Sequence, residues 1–218
     1  PRQRLDAFPF QLSGGQKQRV MIAIALAGEP DVVIADEPTT ALDVTIQKQI
    51  LELLAELQRS QGMAMLLITH DLAVVAEMAQ RVALMYAGQV IEVADCAAFF
   101  ARPLHPYARL LLDALPDAAR RRARLAAIGG TVPPLHQRFD RCRFSDRCPQ
   151  VHDACLAAPP ALLQPWPGHE VRCVLYARGA APGAAFRPQP LPSNFATPTT
   201  ASRAATEPAA AQHVAAAV

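Results

Sequence analysis

The chain has 218 residues, 51% of them hydrophobic, enough for one sizeable core and a small second module. A formal charge of +2 excludes a general attraction to nucleic acid or anionic lipid. No apolar run approaches the roughly 18 residues a membrane span needs, and Pro1 opens no signal peptide, so a soluble or peripheral cytoplasmic protein is expected.

In chain order, Leu12-Ser13-Gly14-Gly15-Gln16 reads as a helix start, with Ser13 as N-cap and an unbroken run from Gln16 to Ala27 before Gly28 and Pro30. Unpaired N–H groups at Ser13, Gly14 and Gly15 would hold an anion there; a plain turn is the alternative. Val32 to Ala35 is a short apolar run that suits a strand buried on both faces of a parallel sheet. Asp36 and Glu37 stand at its C-terminal end, where open α/β sheets place their ligands. Neighbours on a strand point to opposite sides, so one carboxylate towards Mg²⁺ and the other towards a water fits better than a shared acid dyad. The alternative is a solvated Asp-Glu turn.

Asp43 is a plausible N-cap for a helix from about Val44 to Arg59, whose Ile46, Ile50, Leu53, Leu54 and Leu57 form a core face. Gln61-Gly62 ends it, and Met63 to Thr69 is a second buried strand, followed directly by His70. An isolated histidine is more often an ordinary hydrogen-bonding residue. At the end of a strand that can lie beside the Asp36 strand, it can instead polarise a phosphate and an attacking water. Asp71 to Ala79 reads as a short helix. Arg81 to Tyr86 and Gln89 to Val93 flank the two-residue turn Ala87-Gly88, a hairpin expected to close the sheet edge and carry no chemistry. Short helices are expected at Cys96 to Ala101 and at about Ala108 to Leu115.

From Gly129 the chain is loop-rich and carries Cys142, Cys148, Cys155 and Cys173, spaced C-x5-C-x6-C-x17-C. Disulfides are disfavoured in a cytoplasmic protein, which leaves a metal site or unrelated thiols. A segment so poor in apolar residues needs another source of order, and four thiolates suit zinc or a [4Fe–4S] cluster. Cys96 lies outside the pattern and reads as a small buried residue. Arg120-Arg121-Arg122 with Arg124 is the one basic cluster, explained equally by a solvated helix end or a phosphate site. Past Tyr176 the chain turns to Ala, Pro, Gly and Thr and should be disordered.

Leu12 to Gln16, Asp36-Glu37-Pro38, Ala41-Leu42-Asp43 and Thr69-His70-Asp71 resemble, in order and approximate spacing, the signature, Walker B, D-loop and switch-histidine motifs of ABC-type ATPases. His105-Pro106-Tyr107, Cys142-Arg143-Phe144 and Arg147-Cys148-Pro149 resemble the ATPase subunits of oligopeptide and dipeptide importers, whose four extension cysteines bind a [4Fe–4S] cluster in some members. The resemblance implies an α/β fold: a partial P-loop NTPase parallel sheet with a helical signature segment over residues 1–101. A cysteine-bearing extension over 102–176 and a disordered tail over 177–218 would follow.

The resemblance also implies ATP and Mg²⁺ as cofactors. Asp36 would hold Mg²⁺ directly or through water, Glu37 would take the proton from the attacking water, and His70 would orient the phosphate. Ser13, Gly14, Gly15 and Gln16 would bind the nucleotide of a second ATPase subunit, identical or not, and Asp43 would cross to that partner. Transmembrane permease subunits that move peptides, or other small solutes such as nickel, and no nucleic acid, would complete the assembly at the cytoplasmic face of the membrane.

The only lysines, Lys17 and Lys48, stand outside any Gly-x-x-x-x-Gly-Lys-Ser/Thr loop, so the chain looks like the C-terminal half of such an ATPase. Its own nucleotide site should therefore not work alone, while its signature could complete another subunit's site. Two other classes compete: ABC ATPases that act on DNA or ribosomes, and a non-enzymatic metal-binding interaction module. Against the first stand the His105-Pro106-Tyr107 and cysteine extension and the absence of long charged helical insertions.

Overall fold

The computed structural model describes residues 6–115, 128–134 and 136–177, and the backbone of 213–217. Helix α1 (Gly14–Leu26) begins with a reciprocal cap: Gln16 N–H donates to the Ser13 hydroxyl at 3.3 Å and Ser13 N–H donates to Gln16 Oε1 at 3.0 Å. Strand β1 (Val32–Asp36) pairs in parallel with β2 (Ala64–Ile68), Asp36 opposite Ile68. Between them α2 (Val44–Gln61) starts at Asp43, whose carboxylate accepts the Ile46 N–H at 2.9 Å, and stops at Gly62, at a φ of 67°. Asp71 caps α3 (Leu72–Met78) through the N–H groups of Ala73 and Val74.

Strands β3 (Arg81–Tyr86) and β4 (Gln89–Asp95) form the expected tight hairpin, since Ala87 and Gly88 both take positive φ, 46° and 74°, as a type I′ turn requires. Helices α4 (Cys96–Ala101) and α5 (Pro106–Asp113) follow, then α6 (Asp153–Ala157), β5 (Leu163–Trp166), β6 (His169–Val171) and β7 (His213–Ala217).

The described strands form one mixed sheet in the order β1-β2-β7-β3-β4-β6-β5. The β1–β2, β2–β7 and β7–β3 pairs are parallel; the β3–β4, β4–β6 and β6–β5 pairs are antiparallel. The β3–β4 hairpin does not close the sheet edge as expected. Its outer strand still offers free backbone groups, and β6 takes them, with Glu92 opposite Val171 and Val93 opposite Glu170. The cysteine-bearing extension thus continues the sheet of the preceding segment. Of the tail expected to be disordered, residues 178–212 and 218, like the basic cluster at 120–124, lie outside the described residues. Residues 213–217 form a strand between β2 and β3, whose facing backbone groups it pairs.

The core gathers Ile50, Leu54, Met65, Leu67, Val75, Val82, Leu84 and Phe99 between the sheet and its helices. The buried face of α2 is Ile50, Leu51, Leu54 and Gln58, turned slightly from the expected one; Ile46, Leu53 and Leu57 are half-buried. Gln58 is accepted inside because its amide donates to the Met63 carbonyl at 3.1 Å. Strand β1 departs from the expectation of burial on both faces: Val32 is 57% and Ile34 66% exposed. It is the edge strand among the described strands, and apolar content alone does not separate an edge strand from an inner one.

Helix α1 has no buried residue, yet it sits close on α2. A Cβ on Gly15 would lie 2.6 Å from Ile46 Cγ2, and one on Gly14 3.1 Å from Leu42 Cδ2. The two glycines therefore have a packing reason besides any anion. Alanine at 15 would gain up to about 1 kcal/mol in helix propensity but lose about 1–3 kcal/mol to overpacking. Gly15→Ala should lower the urea midpoint, and the same change in an Ile46→Ala background should raise it; equal effects in both would remove the packing argument.

Candidate functional site

The register of β1 and β2 sets the chain leaving Asp36 beside the chain leaving Ile68. Glu37 N–H donates to the Ile68 carbonyl at 2.9 Å, and Glu37 is held at a φ of 44°, a region side-chain-bearing residues rarely occupy. Ala41, in the same loop, has a φ of 63°. In that conformation Glu37 Oε1 accepts the His70 N–H at 3.1 Å and lies 2.6 Å from His70 Nδ1. The Thr40 hydroxyl donates to Oε2 at 3.0 Å. Asp36 is exposed at the end of β1, next in sequence to this pair but outside its hydrogen bonds. Thr40 belongs to none of the sequence motifs and joins the pair only through the loop that follows β1.

Partial burial of Glu37 raises its pKa, but the hydrogen bonds from His70 and Thr40 outweigh it, and the carboxyl sits below its ordinary 4.5. His70 is pushed above its ordinary 6.5 by the hydrogen bond to Glu37 and by that residue's charge. Glu37 is therefore ionised at neutral pH and able to accept a proton.

Ser13, Gly14, Gly15 and Gln16 form a second grouping at the start of α1, where the Gln16 side chain is occupied by the cap. Gly14 rests against Leu42, the neighbour of Asp43, so the first helical turn and the 41–43 turn share one surface. The Asp43 carboxylate caps α2 and remains exposed.

Cys142, Cys148, Cys155 and Cys173 line one small cavity together with His105 and Phe144. Cys142 N–H donates to the Cys155 carbonyl at 3.0 Å, and Arg143 donates to the Ala87 carbonyl at the hairpin tip. Arg147 donates to the Gly129 carbonyl at 2.7 Å and to the Tyr86 hydroxyl at 3.2 Å. Phe144 packs among Tyr86, Tyr107 and His105, with ring centroids 5.1 to 5.7 Å away.

Burial pushes the Cys173 thiol up to about 12 and those of Cys142 and Cys148 upward, so a nearby cation would be needed to hold them as thiolates. Donor type and number suit a soft metal or an iron–sulfur cluster. Among the described residues, however, no three His, Cys, Asp or Glu side chains stand close enough, as placed, to chelate an ion. Cys96 is buried apart from these four, near the Val75 carbonyl, with its thiol raised to about 11 by burial.

The linkage signs of the Glu37–His70 pair follow from the two shifts. The raised His70 contributes stability that is full below pH 6.5 and lost as pH rises through its folded value. The lowered Glu37 contributes stability present above pH 4.5 and lost as pH falls through its folded value. An NMR titration of the His70 ring should show a midpoint above 6.5 that moves back towards 6.5 in Glu37→Gln. An unmoved midpoint would mean that the pair does not form in solution.

Residues 1–40 match the family model described as ABC transporter, and residues 91–155 the one described as oligopeptide/dipeptide transporter, C-terminal region. The dipeptide transport ATP-binding protein DppD of Escherichia coli is 54% identical over 173 residues, 79% of this chain and 53% of that protein. The oligopeptide transport ATP-binding protein AppD of Bacillus subtilis is 50% identical over 174 residues, 80% of this chain and 53% of that protein. DppD of Haemophilus influenzae is 51% identical over 162 residues, 74% and 49% of the two chains. The chain spans about half the length of these relatives. With both family models matched in order and identity of one half or more across three-quarters of its length, the chain belongs to the ABC transporter ATP-binding proteins, in the branch that carries the oligopeptide/dipeptide transporter C-terminal region.

Proposed function

We propose that these residues serve in an ATPase that energises peptide uptake, supplying the hydrolysis residues of one nucleotide site and the signature surface of another. The observation that carries this reading is the ionised Glu37 carboxylate hydrogen-bonded to His70 at the paired ends of β1 and β2. ATP with Mg²⁺ supplies the phosphoryl group and its counter-charge. Asp36, an exposed oxygen donor at the strand end, would hold Mg²⁺ directly or through water, as sites with one or two carboxylates do. Glu37 takes the proton of the attacking water on its carboxylate. His70, fixed at Nδ1 by Glu37, keeps its other ring nitrogen to orient the phosphate.

Ser13, Gly14, Gly15 and Gln16 present the start of α1 to the nucleotide of a second ATPase subunit, identical or different, and Asp43 meets that subunit from the adjoining turn. No Gly-x-x-x-x-Gly-Lys-Ser/Thr loop occurs in these 218 residues, so the reading includes that they do not hydrolyse ATP unaided. The division proposed is a catalytic segment over residues 1–101, an extension over 102–176 and a tail over 177–218 whose residues 213–217 return to the sheet of the first segment. Transmembrane permease subunits would tie the assembly to the cytoplasmic face of the membrane. No helix among the described residues is long and apolar enough to cross one. Relatives named for dipeptide and oligopeptide transport support a peptide as the cargo. The match over residues 91–155 favours this class over ABC ATPases that act on DNA or ribosomes.

The four cysteines of the extension are proposed as ligands of a metal centre, which would supply order if zinc or electron transfer if a [4Fe–4S] cluster. Anaerobically purified protein should then carry about four iron and four sulfide, or one zinc, per chain; a metal-free chain would end this part of the reading. For hydrolysis, Glu37→Gln in the full-length protein should reduce ATP turnover by roughly 10²–10⁴-fold while ATP binding is kept. Turnover at the unmodified rate would place the base elsewhere.

A further inference from the structure

Glu92 is fully buried in the apolar strand β4 and has a separate task. Its Oε1 accepts the Leu104 N–H at 2.9 Å and lies 2.8 Å from His169 Nε2; its Oε2 accepts the His105 N–H at 2.7 Å. The residue is also the register partner of Val171 on β6. One carboxylate therefore ties together three segments: β4, the 103–107 turn and β6. The second and third both build walls of the cysteine cavity, His105 and Pro106 from one side, Cys173 to Leu175 from the other. Cys173 lies only two residues beyond Val171. The other three thiols are held differently, through Arg143, Phe144 and Arg147 on the β3–β4 hairpin.

The chemistry of the contact is one-sided. The Leu104 and His105 N–H groups both donate to Glu92, one to each carboxyl oxygen, and His169 Nε2 meets the oxygen that accepts from Leu104, so three buried polar groups find their partner in one side chain. The His169 side chain is 3% exposed, and its Nδ1 is a buried polar atom without a partner among the described residues. Leaving that nitrogen unpaired opposes folding, so the ring's position is set by what Nε2 does, which is to meet Glu92.

We infer that Glu92 and His169 are a positioning pair that brings Cys173 to the other three thiols. Loss of the pair frees β6 and Cys173, while the loop carrying Cys142, Cys148 and Cys155 stays on the hairpin. The inference goes beyond the importer reading, because it concerns how the cavity is assembled, whatever the cavity binds.

The test is alkylation of each cysteine by N-ethylmaleimide in reduced, metal-free protein, followed by mass spectrometry of the labelled peptides. Glu92→Gln keeps the volume but turns an amide N–H towards a donor. It should raise the Cys173 rate on the order of tenfold and leave Cys142, Cys148 and Cys155 within about twofold. His169→Ala should do the same, and His169→Gln, with an amide donor at about the reach of Nε2, should restore the slow rate. An unchanged Cys173 rate, or all four thiols loosening together in both Glu92→Gln and His169→Ala, would overturn the inference. If Glu92→Gln does not fold, the His169→Ala and His169→Gln pair decides by itself.

Discussion

Parallel pairing of β1 with β2, in a register that sets Asp36 opposite Ile68, is the constraint on which the site depends. It brings Glu37 and His70, 33 positions apart, into direct contact through backbone and side chain together. The arrangement holds Glu37 in a left-handed conformation that costs on the order of 1–3 kcal/mol. An exposed ion pair contributes only about 0–1 kcal/mol, which does not offset such strain. Backbone strain at the end of a paired strand, kept for a contact worth little to stability, is what supports the catalytic role proposed for the pair.

The same sheet continues into the extension. Because β6 joins the outer edge of β4, the wall carrying Cys173 follows a strand paired with β4, while the segment carrying Cys142 and Cys148 contacts Ala87 and Tyr86 through Arg143, Phe144 and Arg147. Buried Glu92 and the aromatic group of Tyr86, Tyr107 and Phe144 fill the junction, leaving His105 neutral, its pKa lowered to about 3 by burial and by Arg109. The Tyr107 N–H donates to His105 Nδ1 at 3.0 Å, which fixes the proton of the ring on Nε2. His105-Pro106-Tyr107 thus works as a helix cap and a packing corner, with Pro106 free to open α5 because it lacks an N–H.

Local signals in the sequence were reliable wherever one residue decides the backbone. Ser13, Asp43, Gly62 and Ala87-Gly88 cap or turn the chain as their side chains and φ values demand, whereas Asp71, expected inside its helix, stands just before it as the cap. Glu37 and His70 were legible because each closes an apolar run. Long-range packing was not. The exposure of Val32 and Ile34 depends on which strand stands at the edge, and the close approach of Gly15 to Ile46 depends on two helices 30 residues apart in the chain. Glu92 left only a faint trace, a single charge in the run Val90 to Ala94, and its partners stand 12, 13 and 77 positions further along the chain. The β4–β6 pairing left none, since β6 is three residues long and follows a loop-rich stretch.

The roles proposed for Asp36, Glu37 and His70 require a phosphate loop that these 218 residues do not contain. Titration of the 218-residue chain with Mg·ATP, followed by binding and steady-state turnover, tests this requirement most directly. The predicted result is neither binding nor turnover. Stoichiometric binding with turnover that disappears in Glu37→Gln would contradict it, because the phosphates would then be held by residues already present.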